Sequence, residues 1–146
     1  SVFPYVSKLL SESYERFIGF NKKLLKIAFT AGLGISIILF LFAEPIIDIV
    51  LGKDYAQSIA VLRIIAWLPL IIFLSNVAGI QTMLPLNKHR SFSAILFFAA
   101  LINLSLAFIL VPSYFAIGTA SAVLITEIFV TVTFFIFLRQ KSVKLI

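Results

Sequence analysis

The sequence predicts an all-α, polytopic membrane protein with four transmembrane helices. Three observations carry this. The 146 residues are 62% apolar and only 12% charged, whereas soluble domains run at roughly 45–50% and about 25%. The stretches 27–43, 64–86 and 91–126 contain no Asp, Glu, Lys or Arg, and about 18 or more such residues cover a hydrocarbon core of roughly 30 Å. Finally, the 12 basic residues are not scattered; they flank the apolar runs.

Residues 1–26 form a polar connector. Leu10, Tyr14, Phe17, Leu24 and Leu25 recur at helical spacing, with Lys8, Glu12, Glu15, Lys22 and Lys23 mainly between them. That pattern fits a helix over 7–26 lying along the cytoplasmic surface, or equally a connector helix packed on a neighbouring loop. The membrane domain is 27–138, followed by a basic tail at 139–146. Span A covers about 24–51, its charge-free part extended past Glu44 and Asp48 by Pro45-Ile46-Ile47 and Ile49-Val50-Leu51. Pro45 lacks an amide hydrogen and predicts a kink, and Gly52 is a natural C-terminal stop.

Span B is 64–86, opened by Arg63 and bent near Trp67 by Pro69. The 36 charge-free residues of 91–126 would make a helix of roughly 54 Å at 1.5 Å per residue. They must fold back, and Pro112-Ser113-Tyr114 marks the turn between span C at 91–111 and span D at 116–138. Gly32 with Ser36, and Gly118 with Ala122, have the four-residue spacing of small residues that allows close helix packing.

Four spans put Lys8, Arg16, Lys22, Lys23, Lys26, Lys88, Arg90, Arg139, Lys141 and Lys144 on one face and leave Lys53 and Arg63 on the other. By the positive-inside rule the richer face is cytoplasmic, so both ends of the sequence lie inside. Tyr55, Trp67 and Tyr114 at the outer ends, and Tyr5 and Tyr14 at the inner, suit the interfacial aromatic belts. The start at Ser1, with neither an initiator Met nor signal-peptide features, reads as a piece of a larger transporter or a processed chain.

Composition also excludes functions. With no cysteine and one histidine, His89, there is no Cys/His zinc site, disulfide scaffold or thiol nucleophile. No phosphate-binding glycine motif occurs. No catalytic residue, metal or cofactor is predicted, and no nucleic acid, because the basic residues mark topology rather than a folded basic face.

The transport-path candidates are Glu127, Asn76, Asn103, Gln81 and Arg63. Glu127 stands midway along span D, where a carboxylate costs on the order of 2.5–3.5 kcal/mol. It reads either as a proton relay, cation site or counter-charge in a transport path, or as a protonated carboxyl bonded to a neighbouring helix. Asn76, Gln81 and Asn103, with Ser75 and Thr126, could line a polar path or make interhelical hydrogen bonds worth roughly 0.6 kcal/mol each. Arg63 could attract an anionic head group, snorkel to the interface, or pair with Asp48 or Asp54. Lys22, Lys23 and Lys26 could meet the phosphate of a lipid-linked substrate, or serve as topology determinants and contacts to anionic lipid.

The order of short motifs then adds a resemblance. Phe3-Pro4-Tyr5-Val6-Ser7-Lys8, Leu51-Gly52-Lys53-Asp54-Tyr55, Val61-Leu62-Arg63, Asn103-Leu104, Ile117-Gly118-Thr119-Ala120 and Leu124-Ile125-Thr126-Glu127 follow one another across nearly the whole chain. The series resembles the C-terminal end of bacterial polysaccharide flippases. These are Wzx-type O-antigen repeat-unit transporters of the multidrug/oligosaccharidyl-lipid/polysaccharide exporter superfamily. The resemblance implies two six-helix lobes around a cationic cavity, with this chain the last four helices of the second lobe. It implies alternating-access translocation of an undecaprenyl-diphosphate-linked oligosaccharide across the bacterial inner membrane, with basic ligands from missing N-terminal helices. It also matches Glu127 to a glutamate common there. The competing expectations are a cation-coupled exporter of small amphiphiles, using Glu127, and a four-span structural or assembly subunit.

Overall fold

A computed structural model describes residues 2–52, 55–141, 143 and 145. All regular structure among them is helical: α1 (Val2–Glu12), α2 (Tyr14–Leu41), α3 (Ala43–Val50), α4 (Ala56–Ile65), α5 (Leu68–Ala78), a π-helical turn (Gly79–Met83) and α6 (His89–Gln140). The helix expected over 7–26 is divided instead. The chain breaks at Ser13, whose extended backbone and side-chain oxygen, 3.5 Å from the Arg16 amide, cap α2, as a serine N-cap does. The segment 14–26 therefore continues into the first long apolar helix.

Two of the three long elements are broken just before a proline. α2 gives way to α3 at Phe42, three residues before Pro45, and α4 to α5 at Ala66-Trp67, ahead of Pro69. Both breaks lie where a proline ring meets the carbonyl four residues back. The bend expected near Trp67 is present; the kink expected at Pro45 falls at Phe42. Span B also starts earlier than expected, so Arg63 lies inside α4 rather than ahead of a helix. Gly52 follows α3 with φ +99°, its amide bonded to the Ile47 carbonyl at 3.2 Å. This is the left-handed stop its position predicts.

Among the described residues, three helices are long and apolar enough to cross a membrane: Tyr14–Leu41, Gln57–Met83 and His89–Gln140. Expected spans C and D are joined in the third. Pro112 stays within helical geometry, and the interruption is at Phe115, with φ 48° and ψ −123°, a combination uncommon for a bulky side chain. The turn expected at Pro112-Ser113-Tyr114 is thus displaced by one to three residues.

The two halves of α6, 89–114 and 116–140, lie side by side and antiparallel. The Asn103 amide reaches the Thr126 hydroxyl at 3.2 Å. A Cβ added to Gly118 would lie 2.5 Å from the Leu110 carbonyl oxygen. The rings of Phe92 and Phe134 stack with centroids 5.3 Å apart. A core of Ala78, Met83, Ala99, Val130, Phe134 and Leu138 joins both halves to α5 and the π-turn.

α2 packs mainly on α5, through the small stripe Ala28, Gly32 and Ser36, all buried. A Cβ on Gly32 would sit 2.8 Å from the Leu70 Cα, so the close approach expected of the Gly32/Ser36 spacing is real. Gly118/Ala122 is used in the same way, with Ala122 buried inside the hairpin. Elsewhere the surface is apolar: Phe97, Phe98, Phe108, Ile109 and Phe115 are all more than half exposed. This is the composition a lipid-facing surface has.

Candidate functional site

The five candidate residues fall at three levels of the molecule rather than in one cluster. At the end bearing the broken helices, Arg63 on α4 meets Glu44 on α3 at 3.8 Å, not Asp48 as one expectation had it. Asp54, the other expected partner, lies outside the described residues. The same guanidinium lies 5.8 Å from the ring centre of Phe40, which in turn packs on Trp67 at 5.9 Å. Both charged side chains are largely exposed, so the pair holds α3 and α4 together only weakly.

Mid-depth, Asn103 and Glu127 are brought near one another by the hairpin. Thr126 accepts from the Asn103 amide while donating to the Ala122 carbonyl at 2.8 Å. Thr131 approaches the Ile71 carbonyl of α5 at 3.3 Å and the Glu127 carbonyl of its own helix at 2.8 Å. These contacts orient the helix. Because each residue turns it by about 100°, Thr126 faces the 89–114 half, Thr131 faces α5 about 140° round, and Glu127 lies between them. Glu127 thus stands on the arc between the two contacts, not on the arc of exposed Ile125, Ile128 and Val132. It is half-buried, and among the described residues its side chain makes no hydrogen bond or ion pair.

Asn76 does not join this pair. It stands one turn after the exposed Ile72, on the side of α5 left partly exposed.

Gln81 belongs to the opposite end, in the π-turn, whose backbone runs Leu84 amide to Gly79 carbonyl at 3.2 Å. There the Asn21 amide donates to the Gln81 main-chain carbonyl at 3.1 Å, while Asn21 Oδ1 and Gln81 Oε1 are buried without a partner among the described residues. Asn21 is wholly buried. Sequence reading missed it, because it stands beside Lys22 and Lys23 in a segment read as a surface helix. Ser36 was read only as a small residue. Its hydroxyl accepts from the Leu70 amide at 3.3 Å, serving one of the donors a helix start leaves free.

No group of three or more His, Cys, Asp or Glu that could hold a metal occurs among the described residues. A recess of about 320 Å³ on the hairpin is lined by Leu104, Ala107, Phe108, Val111 and Pro112; this lining can hold an acyl chain but cannot bind a charged group. The chemistry available is therefore that of a mid-depth carboxylate flanked by threonines and an asparagine, and of amide oxygens at one helix end.

Over 97% of its length the chain is 37% identical to a protein of Escherichia coli K12 named "Putative O-antigen transporter". It spans about a third of that relative, 34% of its length. No family model matches the chain, and no solved structure does.

Proposed function

We propose that this chain is the C-terminal part of a polysaccharide flippase. The whole protein moves undecaprenyl-diphosphate-linked oligosaccharide repeat units from the inner to the outer leaflet of the bacterial inner membrane by alternating access. The observation that carries the reading is the 37% identity, running through 97% of the chain, to the O-antigen transporter relative. The apolar helices and the exposed apolar surface support a multi-pass protein whose first partner is the lipid bilayer. In this reading the two halves of α6 cross the membrane separately, giving four spans of a six-helix lobe. Residues 1–26 and 139–146 are then cytoplasmic, and helices outside this chain complete the cavity.

Glu127 and Asn103 are the residues of this segment we place beside the transport path. Asn76, Gln81 and Arg63 stand at its margins. Basic residues that receive the diphosphate come from outside the segment, since 64–86 and 91–126 hold none. The chemistry is transport, and no covalent step is assigned.

One observation favours a second reading, a cation-coupled exporter of small amphiphiles: Glu127 stands on the arc of its helix between the contacts with the first half of α6 and with α5, not on the exposed apolar arc. Reconstitution of the whole transporter in proteoliposomes separates the two. Movement of the lipid-linked oligosaccharide that continues in Glu127→Gln supports the flippase reading without ion coupling at this residue. Efflux of a small amphiphile that dissipates an ion gradient and is lost in Glu127→Gln supports the second.

A further inference from the structure

We infer that the Glu127 carboxylate is paired with a lysine or arginine on a transmembrane helix that the same polypeptide contributes from outside this segment. The inference rests on the transporter reading and names the partner of the carboxylate placed beside its path.

The donors around Glu127 are turned to other acceptors, and none bonds its carboxylate. The Thr126 hydroxyl proton goes to the Ala122 carbonyl, and the hydroxyl of Thr131 lies against the Glu127 and Ile71 carbonyls. A hydroxyl has one proton to give, so neither threonine serves the carboxylate. The Asn103 amide gives one of its two hydrogens to Thr126 and makes no bond to the carboxylate. No basic residue occurs in 64–86 or 91–126, and Arg63, the basic residue within the Gln57–Met83 apolar run, is engaged with Glu44 and Phe40.

A carboxylate at this depth is retained only when it is matched or faces water. The side chain is half-buried, on the arc of its helix between Thr126, which meets the first half of α6, and Thr131, which meets α5. The relative is long enough to supply a further helix, since this chain matches 34% of it. A cation is the complementary group, and a fixed side chain in the same polypeptide keeps it in register through synthesis and folding.

The test uses the full-length transporter in its native membrane. A benzophenone amino acid at position 127 is photoactivated, and the adducts are mapped by mass spectrometry. The expected product joins position 127 to a helix outside residues 1–146, within about one turn of a Lys or Arg. Adducts confined to lipid, to residues 1–146, to another polypeptide, or to a helix without a basic residue overturn the proposal.

A charge exchange checks the same point without the bulky probe. Glu127→Lys should lower the amount of folded protein in the membrane about tenfold, and replacing the mapped basic residue by Glu should restore most of it. Failure of the exchange to restore it counts against the pairing. Neither readout needs transport. Pairing found in a protein that moves no oligosaccharide leaves this inference standing and removes the flippase reading; transport accompanied by lipid adducts alone does the reverse.

Discussion

Two helix junctions in this molecule are fastened by the same device and finished differently. At the α2–α5 junction, Gly32 admits the Leu70 backbone and Ser36, one turn on, accepts from the Leu70 amide. Within the α6 hairpin, Gly118 admits the Leu110 backbone and Thr126, two turns on, takes the Asn103 amide. The first junction satisfies a backbone donor that the break before Pro69 sets free. The second satisfies a side chain and leaves the adjacent carboxylate with no partner among the described residues. The difference separates a contact whose donor is matched from one that leaves a carboxylate unmatched among the described residues.

The heaviest test of the shared device is to fill its gaps. Gly118→Leu and Gly32→Leu each drive a side chain into neighbouring backbone, which cannot rotate away, and each should lower stability by about 1–3 kcal/mol. Thermal unfolding of the full-length protein in detergent reads this; a variant that unfolds like wild type breaks the comparison at that junction.

Next in size is Ser36→Ala, which strands the Leu70 amide in a buried, water-poor contact. It should cost about 1–2 kcal/mol, and hydrogen exchange at Leu70 should accelerate while exchange within the hairpin does not.

The hairpin alone carries a strained link. Phe115→Gly relieves a positive φ that costs a bulky residue about 1 kcal/mol, so the melting temperature should rise rather than fall. A lower one would mean that the exposed phenylalanine ring contributes more in lipid than its backbone costs.

Asn103→Val should have the smallest effect, about 0.6 kcal/mol, because Thr126 still donates to the Ala122 carbonyl. Finding it as costly as Ser36→Ala would erase the distinction between a stranded backbone donor and a lost side-chain bond.

Much of this architecture was legible in the sequence, because its causes are local. Missing charge marks 64–86 and 91–126 as apolar helices, Pro69 bends its helix at Trp67, and Gly52 ends α3. The two small-residue spacings mark the close contacts that form. What could not be read depends on neighbours. Leu24 and Leu25 suit a surface helix as well as the body of α2, and only contact with α5 and the π-turn decides. Pro112 is the obvious breaker by composition, yet the non-helical backbone falls at Phe115. Asn21 carries no periodic signal at all. Its burial comes from a partner 60 residues away, Gln81. Among the candidates, Glu127 was legible as the one acidic residue deep in an apolar run, whereas its direction, between Thr126 and Thr131, required the hairpin.

The central claim, that the segment belongs to a transporter of lipid-linked oligosaccharide, meets its most direct test in a bacterium lacking its own O-antigen flippase. The whole gene containing this sequence should restore surface O-antigen there, provided its glycan is compatible with the host pathway. The count to take is surface glycan per cell against the amount of transporter in the membrane. Restored glycan that scales with the protein is the predicted result. Abundant, correctly inserted protein with no surface glycan, in a host making the matching repeat unit, would contradict it.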